Sequence, residues 1–488
     1  MVPFSGLLRP GASVYFVGIK GTGVCALAEL MHSMGIKTSG SDIDEVFYTD
    51  AILKELGIPY YEGFDPAHIT DGIDLVVYSA AYSVEGNAEL AEASRKSIPL
   101  VKYPDALGMY SALFDSTGIA GVHGKTTTTA MCGCVMQGLG LAAQILVGSA
   151  VANFNGRSTL VLGNKYFIAE TCEYRSHFLA FHPKRIVLTA VESDHQDFFP
   201  TYESIRDAFV EYCRLIPPGG ELIYCADDPG ACEVAQVIEN DGRGIVLIPY
   251  GFTADGDFRV NSYRVENDSA LFTINAFPDE VSLRIPGRHQ ALNAAAAIAL
   301  ASVLAKKESP GLASWDEQRR YAIKKALEGF KGSKRRSEVI GSADGIVFMD
   351  DYGHHPTAIA STLDGLRAFF PARRLVVSFM SHTYTRTAAL LDDFARSLAA
   401  ADVLFLHKIY ASAREVFSGN VSGMSIYEKM KSLENGKADV YYVDEPADAF
   451  DPLVKTLKSG DLFLTLGAGN NWPLGQRLYQ HYLGGASA

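Results

Sequence analysis

Short apolar runs alternate with segments of helical periodicity along most of the chain, the pattern of open parallel sheets whose strands are buried on both faces. The first run, Ser13-Val14-Tyr15-Phe16-Val17, is followed by a glycine turn from Gly18 to Gly23, a helix over 24–34 ended by Gly35, and a strand over 36–39. That order is a βαβ unit. Leu75-Val76-Val77-Tyr78, followed by small and polar residues, predicts a further parallel strand whose C-terminal end borders a ligand crevice. A second series opens at Gly118, with a helix over 128–137, strands at 166–169, 186–189 and 222–224, and an alanine-rich helix over 293–305. The pattern breaks at Phe330-Lys331-Gly332-Ser333-Lys334-Arg335-Arg336, after which apolar runs at 345–350, 374–379, 403–406 and 462–466 announce another sheet. The expected fold is therefore α/β, in three doubly wound domains over 1–113, 114–331 and 332–488. The first and last are Rossmann-like and the central one is of the P-loop ATPase type, and no repeat recurs at a fixed period.

Composition agrees with several compact domains. A chain of 488 residues exceeds what one core serves, and 48% hydrophobic with 20% charged residues is close to the globular average. The formal net charge of −13 argues against a nucleic-acid partner and leaves room only for small anions in local positive pockets. Met1 to Pro10 has no basic cluster leading into an apolar core, and no run of about 18 apolar residues occurs, so a cytoplasmic protein with no membrane partner is expected. All seven cysteines (Cys25, Cys132, Cys134, Cys172, Cys213, Cys225, Cys232) lie in the first half without a paired CxxC spacing, and buried free thiols are expected.

Candidate chemistry concentrates at the predicted strand ends. Gly121-Val122-His123-Gly124-Lys125-Thr126-Thr127 places two glycines, a lysine and two hydroxyls at a helix start, where backbone N–H groups cradle phosphates. Lys125 would reach the terminal phosphates of a nucleotide triphosphate, and Thr126 or Thr127 would offer a magnesium ligand. Ile119 stands where the strict pattern asks for glycine. Glu170 and His195 each follow a predicted strand, so Thr126, Glu170 and His195 are candidates to converge on Mg²⁺. Gly21-Thr22-Gly23-Val24-Cys25-Ala26 is G-x-G-x-x-A, and Asp42 ends the second strand. Alone, that turn points to an NAD-dependent dehydrogenase, although its geometry suits any nucleotide diphosphate. Two cradles imply two nucleotides. Pro286 to Asn293 feeds the alanine-rich helix with amides, Gln290 and Asn293, that either meet an adenine edge or cap the helix. Asp350-Asp351-Tyr352-Gly353-His354-His355-Pro356 and His382-Thr383-Tyr384-Thr385-Arg386-Thr387 follow strands of the last domain. Arg386 suits a substrate carboxylate and the histidines an amine or phosphate; the alternative is two surface loops with capping roles.

In this order, Gly18 to Gly23, Gly121 to Thr127, Glu170-Thr171-Cys172-Glu173-Tyr174, Asp194-His195, Pro286 to Asn293, Asp350 to Pro356 and Tyr384 to Thr387 give the chain a resemblance to the Mur ligases of bacterial cell-wall synthesis. The resemblance spans nearly the whole chain. It implies that the first domain binds the UDP of UDP-N-acetylmuramate through Gly18, Lys20, Gly21, Thr22, Gly23, Ser41, Asp42, Ser79 and Asn87. The central domain would bind ATP through residues 121–127, with Asn293 and Gln290 on adenine, Thr126 and Glu170 on one Mg²⁺ and His195 on a second. Arg335 or Arg336 would approach the γ-phosphate, Asp350 or Asp351 the ribose, and His355, His382 and Arg386 the amino acid. Family chemistry implies phosphorylation of the lactyl carboxylate and attack of an amine on the acyl phosphate, with Lys125, His195 and Arg386 as the catalytic groups. Tyr384 to Thr387 favours an L-alanine-adding member over a tripeptide-recycling one, acting as a monomer or weak dimer. Val122, Gln290, Lys20 and Val24 depart from the usual residues at their positions. Besides the dehydrogenase, the competing expectation is a nucleotide-sensing protein without turnover, against which the intact Lys125, Glu170 and His195 weigh.

Overall fold

The computed structural model describes residues 6–196, 198–309, 315–411, 421–433 and 437–485. Their contacts gather into two units, one of residues 1–192, 203–259 and 293–326 and the other of 193–202, 260–292 and 327–488.

The first unit opens with five parallel strands, β1 (Ser13–Val17), β2 (Lys37–Asp42), β3 (Tyr60–Glu62), β4 (Leu75–Tyr78) and β5 (Leu100–Lys102), in the order β3-β2-β1-β4-β5. Helices α1 (Thr22–Ser33), α2 (Thr49–Leu56), α3 (Ala88–Arg95) and α4 (Tyr103–Ser111) connect or follow them. All four side chains of β4 are buried, as a parallel strand covered on both faces requires. The order reverses at β1, and the turn from β1 into α1 therefore lies at a crevice-forming switch point.

The same unit then forms β6 (Asp115–Ala120), α5 (Lys125–Leu139), β7 (Ala143–Val151), β8 (Arg157–Val161), β9 (Tyr166–Glu170), β10 (Arg185–Leu188), α6 (Tyr202–Cys213), β11 (Glu221–Cys225), α7 (Pro229–Asn240) and β12 (Val246–Gly251). The strands line up as β12-β11-β10-β6-β9-β7-β8, parallel except for the β7–β8 hairpin. Helix α5 is buried from Thr126 to Met136. A helix so enclosed is held by tertiary packing, each apolar side chain adding roughly 1.5–3 kcal/mol.

Strand β13 (Phe258–Glu266) passes into the second unit, where it forms an antiparallel meander with β14 (Ser269–Ile274) and β15 (Phe277–Leu283). The expected alternation of strand and helix does not extend through this segment. Its residues instead alternate buried and exposed, and Asn267 and Asp268, at φ +48 and +55, make the tight turn. Helix α8 (Arg288–Glu308) starts five residues before the predicted 293, so Asn293 lies inside it, not at a cap. Helix α9 (Glu317–Glu328) follows.

The last sheet comprises β16 (Glu338–Ala343), β17 (Ile346–Asp351), β18 (Arg374–Phe379), β19 (Val403–Leu406), β20 (Asp439–Tyr442) and β21 (Asp461–Leu466), in the order β16-β17-β21-β18-β19-β20, with only β16 antiparallel. Helices α10 (Pro356–Phe369), α11 (Tyr384–Ala389), α12 (Leu391–Leu398), α13 (Gly423–Lys431), α14 (Phe450–Thr456) and α15 (Trp472–Gly485) complete it. The fold class is the expected α/β with mostly parallel sheets. All seven cysteines are free, but Cys172 is exposed and Cys232 only half-buried, because Cys172 follows β9 on a loop and not within a packed element. No helix among the described residues is long and apolar enough to cross a membrane.

Candidate active site

The turn after β1 is shaped by packing as well as by its opening to a ligand. Gly18 has φ +86, and a Cβ there would lie 2.9 Å from the Tyr82 ring and 3.0 Å from Ser79 Cβ. Helix α1 starts at Thr22 with Gly21 at its N-cap and no side-chain cap, which leaves its first amides facing the crevice. Asp42 accepts hydrogen bonds from the amides of Lys20 (2.6 Å) and Ile43 (2.8 Å), fixing the rim of the turn. The Lys20 side chain faces into the domain: it is 1% exposed, pairs with Asp50 at 3.3 Å and donates to the carbonyls of Ile43 and Glu45. Ser41 donates to the buried Glu89 carboxylate, and Asn87 caps α3 by accepting from Glu89 and Leu90 amides at 3.0 and 3.1 Å.

The second cradle joins β6 to α5. Gly121, at φ +135, and Gly124, at φ +81, admit no side chain: a Cβ on Gly121 would sit 2.2 Å from Thr189 Oγ1, and one on Gly124 2.9 Å from Asn293 Oδ1. The Val122 amide donates to Ala190 O at 2.9 Å, and His123 Nε2 lies 3.6 Å from Glu192. Lys125 Nζ donates to Gly121 O and pairs with both oxygens of Glu173, at 2.8 and 3.1 Å. Burial alone would lower the Lys125 pKa, but the Glu173 and Glu170 charges outweigh it and hold it above the ordinary lysine value. Thr126 Oγ1 donates to Glu170 Oε1 at 3.0 Å, and the Gly148 amide to Glu170 Oε2 at 2.7 Å. A hydroxyl and a carboxylate brought together beside a helix start fit a hard divalent cation. Thr127 is buried within α5, and Asn293 Oδ1 accepts from Thr128 Oγ1 at 3.1 Å, tying α8 to the phosphate loop. Glu173 is the site group to which the sequence assigns no role. Its position in Glu170-Thr171-Cys172-Glu173 was its only signal.

In the second unit, Arg386 is 4% exposed and donates from Nε (3.1 Å) and Nη2 (2.6 Å) to one oxygen of Asp194, while Nη1 reaches His382 Nδ1 at 3.2 Å. The carboxylate it meets is thus the protein's own. Burial pushes the Asp194 carboxyl up, but the Arg386 guanidinium above all holds it well below the usual range. His195 takes φ +52, with its amide on Asp194 Oδ1 at 2.7 Å; a non-glycine residue kept in that region is a mark of functional sites. His354 lies 6.2 Å, ring to ring, from His382, and burial with the Arg386 charge keeps it neutral, its pKa well below the usual histidine value. His355 caps α10 through Nδ1, accepting from the Thr357 amide at 3.4 Å. Gln290 is buried, its amide nitrogen 3.0 Å from His289 Nε2.

The two doublets separate by their partners. Arg335, at φ +60, pairs with Asp350 at 3.1 Å and donates to the carbonyls of Gly467 and Gly469, whereas the Arg336 guanidinium lies 4.8 Å over the Tyr352 ring. Asp351 accepts the amides of Ser337 and Gly353, each at 2.7 Å, and so fixes the loop. Asp350 accepts from Thr465 Oγ1 at 2.6 Å, and burial raises its pKa to about 6.

Three family models match consecutive stretches of the chain: "Mur ligase family, catalytic domain" over 13–115, "Mur ligase middle domain" over 119–301 and "Mur ligase, glutamate ligase domain" over 335–469. The chain is 49% identical over 472 residues to a UDP-N-acetylmuramate--L-alanine ligase of Treponema pallidum, covering 97% of each chain. It is 37% identical to one of Borreliella burgdorferi, covering 95% of this chain and 97% of the relative. Among solved structures, a UDP-N-acetylmuramate-alanine ligase of Thermotoga maritima superimposes with a TM-score of 0.74 at 25% identity, over 97% of this chain and 99% of the other.

Proposed function

The chain belongs to the Mur ligase family, and from that membership we propose that it is an ATP-dependent amide-forming ligase that joins L-alanine to the lactyl carboxylate of UDP-N-acetylmuramate in peptidoglycan precursor synthesis. The observation that carries this is the 49% identity across 97% of both chains to a ligase of that name. In the reaction a lactyl oxygen attacks the γ-phosphorus of ATP and ADP leaves. The amine of L-alanine then attacks the acyl carbon, phosphate leaves, and the nitrogen loses a proton. We place the enzyme in the cytoplasm, as a monomer or weak dimer.

The geometry supports roles for particular residues. The uncapped amides of α1, with Gly18, Gly21, Thr22 and Gly23, receive the UDP diphosphate, while Lys20, Ser41, Asp42, Ser79 and Asn87 shape that turn. Residues 121–127 hold the ATP phosphates, and Lys125 leaves Glu173 to meet them. Thr126 and Glu170 would hold Mg²⁺, with His195 on a second ion, and the metal when bound neutralises phosphate charge. Asn293 and Gln290 serve the adenine, Asp350 the ribose, and His355, His382 and Arg386 the amino acid.

Phosphate release from ATP is expected only when UDP-N-acetylmuramate, L-alanine and Mg²⁺ are all present, with an amide product seen by mass spectrometry. Comparing L-alanine with glycine and L-serine ranks the amino acids. ATP hydrolysis independent of an amino acid, without amide, would overturn the proposal.

The doublets give a second prediction. Both guanidinium groups lie over the Tyr352 ring, but Arg335 is in addition tied to Asp350 and to the Gly467 and Gly469 carbonyls, so Arg336 is the arginine that reaches the γ-phosphate and Arg335 is a strut. Arg336→Ala should lower kcat by about a hundredfold with an unchanged melting temperature, while Arg335→Ala should lower the melting temperature first. The reverse pattern would exchange the two roles.

A further inference from the structure

Between the two cradles of the first unit stands a phenol that no motif marked. Tyr103 opens α4, and its side chain packs on Gly23: a Cβ built on that glycine would lie 2.8 Å from Tyr103 Oη and 2.9 Å from Cζ. Tyr103, with Leu107 and Phe181, also lines a small recess of about 70 Å³ that takes in Glu170, Thr171 and Cys172. The phenol thus touches the diphosphate turn and faces the carboxylate that Thr126 contacts at 3.0 Å.

This placement accounts for two features. It gives glycine at position 23 a packing reason, since a Cβ there would press on the Tyr103 hydroxyl and ring, in addition to any approach by a ligand. It also keeps the hydroxyl a donor, since burial raises its pKa above the usual tyrosine value.

Resting on the ligase reading above, we propose that Tyr103 is a substrate-binding residue whose hydroxyl donates a hydrogen bond to the diphosphate of the UDP-sugar, on the side that leads from the Gly21–Gly23 turn toward Glu170. A hydrogen bond to a charged group is worth about 1.5–3 kcal/mol, or roughly 10- to 100-fold in affinity.

Tyr103→Phe removes the hydroxyl and keeps the ring against Gly23. In the full chain it should weaken UDP binding in calorimetry, and raise KM for UDP-N-acetylmuramate, by at least about tenfold. KM for ATP and L-alanine, and the melting temperature, should stay as in the unaltered enzyme. UDP affinity and KM unchanged in Tyr103→Phe would overturn the assignment, as would an equal rise in all three KM values, which would mark a structural role. The two readings fail separately. If the unaltered chain makes no amide, the ligase function falls; if it makes amide and Tyr103→Phe binds UDP as well as it does, only the role of Tyr103 falls.

Discussion

Lys125→Met is expected to lower kcat for amide formation by about 10²- to 10³-fold or more, with a smaller loss of ATP affinity. The reason lies in when the ammonium is needed. Lys125 sits at the first position of α5, paired with Glu173 at 2.8 Å and held fully protonated by the surrounding carboxylates. Charge builds on the transferring phosphoryl group as the lactyl oxygen attacks, and a fixed cation at that position stabilises it more than it does the ground state. Arginine should not substitute well, because its wider fork cannot enter between Gly121 O and Glu173 as a compact point charge does. Methionine also removes the ammonium that pairs with Glu173, 3% exposed, so some stability is lost as well. Single-turnover phosphate release, measured well below the variant's melting temperature, separates the two effects. A kcat within about tenfold of the unaltered enzyme would remove Lys125 from phosphoryl transfer.

Much of this site was legible because parallel strands are short, continuous apolar runs whose ends are where ligands gather. Leu75–Tyr78, Arg374–Phe379 and Val403–Leu406 form strands at the predicted residues. Glu170, foreseen at a strand end, is the last residue of β9 and accepts from Thr126 Oγ1 at 3.0 Å. What sequence did not disclose is partnership. Thr128 and Asn293 stand 165 residues apart, and Arg386 and Asp194 stand 192 apart, so no local spacing could pair them. Arg386 was expected to hold a substrate carboxylate, and nothing in its neighbourhood in sequence announced that a protein carboxylate also meets it. The meander from Phe258 to Leu283 was missed for a different reason. Its period-two alternation and Asn267-Asp268 turn were present, but they were absorbed into the α/β rhythm on either side.

The Arg386–Asp194 pair carries the other large effect. Both groups are buried, so removing one partner strands a charge: Arg386→Met should cost about 3–5 kcal/mol. For the second unit that is roughly 6–20 °C in melting temperature. The pH dependence has a definite sign. The folded Asp194 carboxyl is depressed below its unfolded value of about 4, so the folded state binds fewer protons there, and the stabilisation is fully present above that value and lost as pH falls below it. Asp194→Asn should flatten that acid limb while changing neutral stability less than Arg386→Met, because the amide oxygen still accepts from the guanidinium. A double variant, Arg386→Met with Asp194→Leu, should recover most of the lost stability, since two apolar side chains replace two desolvated charges. Its ligase activity should not return with its stability. If Arg386 serves the amino acid, the double variant folds well and shows a KM for L-alanine raised beyond measurable range. Thermal melts from pH 3 to 8, read beside alanine-dependent phosphate release, test both halves at once. Recovery of activity together with stability would make the pair a structural tie and leave the amino acid to His355 and His382.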